Sequence, residues 1–128
     1  MNQQEAKCVL VMDENLPTGI LANAAAILGI TLGRKIPECV GEDVTDASGC
    51  IHKGIISIPV PVLKGNAGLI KTLREKLYSE DFRDLTVVDF SDVSQSCNTY
   101  DVYIQKAGTT REEDHTYRGI AIYGAKKR

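Results

Sequence analysis

Lys7-Cys8-Val9-Leu10-Val11-Met12 runs into Asp13-Glu14-Asn15-Leu16-Pro17 and then into Thr18-Gly19-Ile20-Leu21-Ala22-Asn23-Ala24-Ala25-Ala26-Ile27-Leu28-Gly29-Ile30-Thr31-Leu32-Gly33. A short, mostly apolar run that stops at turn formers reads as a buried strand. Pro17 suits a first helical position, with Asn15 or Leu16 just outside it. Ile20, Ala24, Ile27 and Leu28 then recur at helical spacing, and the alanines are strong helix formers. Gly33 is a fitting stop, and Arg34 and Lys35 face the negative helix end. A strand feeding a helix in this way opens an α/β fold.

The rest of the chain repeats the alternation. Asp46-Ala47-Ser48-Gly49 reads as a turn joining short extended pieces at Asp43 to Thr45 and Cys50 to His52. Ile55 to Leu63 is rich in β-branched residues. Its Pro59 and Pro61 lie two apart, so both missing N–H groups fall on one side, which marks an edge strand or its exit. Asn66 caps a second helix, in which Leu69, Ile70, Leu73 and Leu77 recur while Lys71, Arg74, Glu75 and Lys76 take the wet side. Leu85 to Phe90 is a third principal strand, followed by a polar loop. Tyr100, Ile104 and Ala107 mark a third helix, and Thr110-Arg111-Glu112-Glu113 has capping-box form. Tyr117 to Tyr123 closes the sheet with Ile120-Ala121-Ile122. The expectation is a small single α/β domain over residues 1–128, with a four-stranded sheet flanked by helices.

Length and composition agree. A chain of 128 residues buries about two-thirds of its extended surface, enough for a core without disulfide or metal staples. The hydrophobic fraction of 43% and the charged fraction of 25% are those of a globular domain. No run approaches a membrane span, and the first residues lack the pattern of a secretory signal. With a net charge of −2, the chain has a poor footprint for nucleic acid. A cytoplasmic protein with reduced cysteines is expected.

The candidate chemistry lies at two polar strand ends. One is Asp13-Glu14-Asn15 leading into Thr18; the other is Asp89 with Ser91-Asp92 and the serines beyond. Ligands in open α/β sheets bind beyond the carboxyl ends of strands. If the first and third principal strands lie side by side, Asp13, Asp89 and Asp92 converge, and could raise one another's pKa, hold magnesium or orient water. The competing reading makes them helix caps and turn formers. Gly65-Asn66-Ala67-Gly68 could hold an anion, but reads more simply as a cap. Cys39, Cys50 and His52 form one incomplete knuckle, so no metal and no cofactor is expected. His115 lies in the charged run Arg111 to His115, which reads as a solvated face, and no nucleophilic triad assembles. Tyr100, Tyr103, Tyr117 and Tyr123 read as core or semi-core.

Asp13 to Pro17 leading to Ala22-Asn23-Ala24-Ala25-Ala26, Asp43 to Gly49, Ile58 to Lys64, and Gly119 to Gly124 together resemble a bacterial domain-of-unknown-function family, number 2000. That family is similar in fold to the second type of peptidyl-tRNA hydrolase, with a four-stranded mixed sheet. The hydrolases open their first helix with a Gly-Lys-Ile-Ala-Ala-Gln-like run; here Gly19 takes the lysine position. The resemblance makes Asp89 the counterpart of their catalytic aspartate. A lost lysine and an acidic surface argue against carrying the activity over. Two classes remain. One is a module binding a small molecule or protein in a crevice with Asp13, Asn15, Thr18, Asn23, Ser91 and Asp92. The other is a hydrolase of a peptidyl-tRNA or another ester- or nucleotide-linked substrate, with Asp89 catalytic. A homodimer is expected from the edge strand and from the resembling fold.

Overall fold

A computed structural model describes residues 6–125. The strands are β1 (Ala6–Asp13), β2 (Val44–Thr45), β3 (Ile51–His52), β4 (Val62–Gly65), β5 (Thr86–Ser91) and β6 (Tyr117–Ala125). The helices are α1 (Thr18–Lys35), α2 (Ala67–Leu77), α3 (Asp92–Gln95) and α4 (Tyr100–Thr109). The main sheet has the order β4-β1-β6-β5. β4 is parallel to β1, while β6 runs antiparallel to both β1 and β5. The result is an α/β fold on a four-stranded mixed sheet, and no helix among the described residues is long and apolar enough to cross a membrane.

β1 reads as continuous apolar residues because the sheet is covered on both faces. Cys8, Leu10 and Met12 join Ala24, Leu28 and Leu32 of α1, Phe90 of β5, and Ala121 and Tyr123 of β6 in one core. Val11 points the other way, onto Ile70 and Leu77 of α2, with Ile120 and Tyr117. Alternation along each strand thus divides the apolar side chains between two helices. Gly119 is the point of closest approach on the α1 side: a Cβ there would lie 2.7 Å from Met12 Sδ and 3.1 Å from Leu28 Cδ1.

A bulge shapes the carboxyl end of the sheet. Phe90 pairs with Gly119 but Ser91 pairs with Tyr117, leaving Arg118 as the extra residue. The extra residue reverses the alternation. Tyr117 therefore falls on the α2 side with Ile120, three positions away rather than two.

Several local expectations hold and some shift. β2 and β3 form the short hairpin, with Gly49 at φ 83° in its turn. Asp46 accepts from the N–H groups of Ser48 and Cys50, and its other oxygen lies 2.7 Å from His52 Nε2. These contacts hold its carboxyl below the ordinary range, the His52 contact most strongly. Asn66 caps α2 through Leu69 N. α1 starts one residue late, at Thr18, because Pro17 is its cap residue. β4 begins only at Val62. The Pro61 carbonyl accepts from Leu10 N, so Pro61 turns its missing N–H toward β1, and a regular ladder starts past it. The polar loop after β5 contains the extra helix α3. Thr110 does not cap the turn at Glu112–Asp114; its hydroxyl donates to Lys106 O instead.

Candidate functional site

β5 delivers Asp89, Ser91 and Asp92 to the carboxyl end of the sheet. Asp89 shares the side of Val87 and meets α2: Arg74 Nε donates to Asp89 Oδ2 at 2.8 Å. The pair is largely enclosed, with 13% of the Arg74 side chain and 25% of that of Asp89 exposed. The Arg74 guanidinium also stacks over Tyr78, its carbon 3.8 Å from the ring centroid. Lys71 and Arg74 are both half-buried, which corrects the expectation that they take the wet side of their helix.

Ser91 is 3% exposed and stands at the start of α3. Its hydroxyl accepts from Val93 N at 3.2 Å and lies 2.9 Å from His115 Nδ1. His115 is therefore no residue of a solvated face. It is half-buried and stacks on Tyr117, with ring centroids 5.9 Å apart. A serine–histidine contact invites a nucleophile reading. Burial and the capping bond make it structural here: a hydroxyl that caps a helix and is closed to solvent cannot meet a substrate carbonyl.

The segment from Glu112 to Tyr117 is tied down throughout. Lys71 Nζ donates to the carbonyls of Glu112 and His115, at 3.2 and 3.0 Å. Asp92 Oδ1 accepts from Thr116 N, and Asp92 N donates to Thr116 O. Tyr117 donates its hydroxyl to Glu112 Oε2 at 2.8 Å. Burial, followed by that carboxylate, pushes the Tyr117 phenol far above its ordinary range, so it stays a proton donor. Ser91 and Asp92 thus fasten a chain segment.

The other candidates lie apart. Asp13 is buried at the end of β1, and its Oδ1 accepts from Asn15 N at 3.0 Å. Asn15, Thr18 and Asn23 are exposed around the start of α1. β6 stands between β1 and β5, which places those strands about 10 Å apart. Asp13, Asp89 and Asp92 have separate partners, and the described residues include no trio of His, Cys, Asp or Glu able to hold a metal ion. The side-by-side arrangement that would gather the three carboxylates is corrected by the strand order.

Open space lies on the other side of β5. A cleft of about 430 Å³ is bounded by α1, β5 and the α3–α4 corner. Ile27 and Thr31 form one wall, and Val88, Asp89 and Phe90 the floor. Asn98, Thr99, Tyr100 and Tyr103 form the other wall, with Ser94 and Cys97 behind them. Tyr100 and Tyr103 meet edge to face at 5.4 Å. Tyr100 is 73% exposed, not a core residue. Burial first, then the Asp89 charge, raises the Tyr103 phenol above its ordinary value. Among the described residues no lysine or arginine lines the cleft. A hollow over Glu80 to Asp84 is lined by that turn alone and gathers no distant residues.

The model of a family described as "Protein of unknown function (DUF2000)" matches residues 6–128, and the chain belongs to this family. The chain is also similar to the solved structure of Atu0240, a protein of unknown function from Agrobacterium tumefaciens strain C58. The TM-score is 0.85 at 15% identity, over 96% of this chain and 89% of the other, a likeness of fold. No curated protein matches.

Proposed function

We propose that this member of the family is a small-molecule-binding module whose crevice lies at the carboxyl half of β5. The observation that carries this reading is the cleft between α1, β5 and α4. At about 430 Å³ it falls within the range of small-ligand sites, roughly 300–1,000 Å³. Its lining combines apolar Ile27, Val88 and Phe90 with the polar groups of Thr31, Asp89, Ser94, Asn98 and Thr99 and with two tyrosines. A tyrosine pair supplies a large contact face at little cost in side-chain entropy. Within this reading Asp89 stands at the floor of the site, while Ser91 and Asp92 hold its end in place. Asp13, Asn15, Thr18 and Asn23 stand outside it.

The fold is read as that of the second type of peptidyl-tRNA hydrolase, in one domain and in the cytoplasm. Its four-stranded mixed sheet with a helix on each face supports the fold reading. Hydrolysis of a peptidyl-tRNA is disfavoured by two observations. Asp89 already holds Arg74, so it is poorly placed to take a proton from water. Gly19 stands near the start of α1 with open space at its Cβ position, so this position itself carries no cation where the resembling enzymes have lysine.

Indole, a small neutral aromatic probe, tests the module. Titration followed by NMR is expected to give saturable shifts at Ile27, Val88 and the Tyr100 and Tyr103 rings. Thr31→Trp, which fills the cleft from α1, is expected to abolish them. Shifts confined to another surface, or persisting in the variant, would overturn the assignment.

A further inference from the structure

A second cavity, of about 490 Å³, lies at the opposite end of the sheet. It opens between the amino end of β1, the last turns of α2, the turn before β5 and the end of β6. Its walls are Val9, Leu73, Leu77, Phe82, Leu85 and Ile122. Four of these, Leu73, Phe82, Leu85 and Ile122, are half-buried at the margin of the α2-side core. They pack on the core on one side and face the hollow on the other. Gly124 borders it and lets Leu85 pack directly on the β6 backbone, since a side chain there would collide with Leu85.

Two cations complete the lining. Lys7 from β1 and Lys76 from α2 are both exposed. Among the described residues neither ammonium group has an ion-pair or hydrogen-bond partner. Among the described residues no aspartate or glutamate lines the cavity. An apolar hollow with two unpaired ammonium groups and no counter-charge is complementary to one kind of ligand: a hydrocarbon body with an anionic head.

We propose that this cavity binds a medium-chain carboxylate, its tail against Leu73, Leu77 and Ile122 and its carboxylate between Lys7 and Lys76. The site is separate from the cleft beside β5 and does not depend on it. Each methylene buried strengthens binding about fourfold, so octanoate binds roughly tenfold or more tighter than hexanoate.

The experiment is a methyl NMR titration with sodium octanoate, hexanoate and octylammonium. Saturable shifts at Leu73, Leu77, Leu85 and Ile122 with octanoate, weak with octylammonium, are expected. The double reversal Lys7→Glu with Lys76→Glu is expected to weaken octanoate about tenfold and to favour octylammonium. Leu73→Trp, which fills the hollow and leaves both lysines, is expected to abolish octanoate binding. Equal affinity for the two head groups, or affinity unchanged in either variant, would overturn the proposal. So would an absence of shifts, or shifts at Tyr100 and Tyr103 instead. Vesicles of phosphatidylcholine and phosphatidylglycerol form the last arm: co-sedimentation without octanoate shifts would assign the lysines to a bilayer surface and reject the cavity.

Discussion

Replacing Arg74 by Met removes the cation that faces Asp89 while keeping the length of the side chain. The cost follows from burial. A charge-assisted hydrogen bond contributes about 1.5–3 kcal/mol, an exposed ion pair only about 0.2–1. With 13% and 25% of the two side chains exposed, the pair lies nearer the first case, and Arg74→Met should cost about 2 kcal/mol. Methionine still covers Tyr78, so little of that cost is lost packing. Asp89→Asn keeps an oxygen for Arg74 Nε and gives up the charge, at about 1 kcal/mol. The double variant no longer strands a carboxylate. It should be less destabilised than the two single costs combined, by about 1 kcal/mol or more.

Urea unfolding of the four proteins measures this directly. On heating, a chain of 128 residues loses roughly 7 °C in Tm for 2 kcal/mol. Additivity within about 0.5 kcal/mol would refute the reasoning, because it would mean that solvent screens the pair. The same variants bear on chemistry. If Asp89→Asn left stability untouched yet abolished a measured turnover, Asp89 would be catalytic and the cleft an active site.

Four further outcomes are expected. Under native conditions iodoacetamide should label the exposed Cys50 first, while Cys8 and Cys39, buried at 0% and 2% exposure with thiols pushed up mainly by burial, react only on unfolding; mass spectrometry of timed samples reads the order. Gly119→Ala should cost about 1–3 kcal/mol by overpacking Met12 and Leu28, and a chemical-denaturation midpoint equal to wild type would contradict that. β4 turns the backbone groups of Val62 and Lys64 away from β1, next to exposed Val62 and Leu63, so a homodimer with twice the 14.0 kDa chain mass is expected in light scattering, and a monomer mass at micromolar concentration argues against it. Finally, the protein should show little hydrolysis of peptidyl-tRNA at low salt. Losing one oxyanion-stabilising group costs about 10²–10³ in rate, and Gly19→Lys should not restore it, since Asp89 stays engaged by Arg74.

What the sequence made legible was local. The β1–α1 unit, the Asn66 cap and the Gly49 turn each depend on residues within a few positions, and capping and turn chemistry specify them. The strand order was not legible, because β6 takes its place by pairing with residues more than a hundred positions away at β1. The roles of Lys71, Arg74 and His115 were hidden for the same reason: their partners lie 44, 15 and 24 residues away. Two signals were present. Lys71, Arg74 and Tyr78 share one face of α2 at i, i+3 and i+7. Tyr117 and Ile120 stand three apart in a segment otherwise read with period two, which is the mark of a bulge.

The position of β6 also explains why the polar strand ends do not make the crevice that parallel α/β sheets offer. β1 and β5 point the same way, and in an open parallel sheet ligands settle beyond such ends, where the strand order reverses. Here β6 enters between them antiparallel, so its lead-in must come over that end of the sheet. The Glu112 to Tyr117 segment does so, and it brings backbone polar groups that need partners once covered. Lys71 and Asp92 supply the partners, and Ser91 holds the His115 ring beside them. Residue types that would serve a ligand in an open crevice are engaged in closing this one. Ligand space then has to lie beside the sheet instead. β5 is an edge strand, and α4, which leaves Tyr100 exposed and Tyr103 half-buried, stands off from α1 far enough to leave the cleft. Filling that cleft from α1 should therefore disturb ligand binding and leave the Glu112–Tyr117 fastening intact, whereas Ser91→Ala should loosen the fastening first, seen as faster amide exchange at Thr116 and Tyr117.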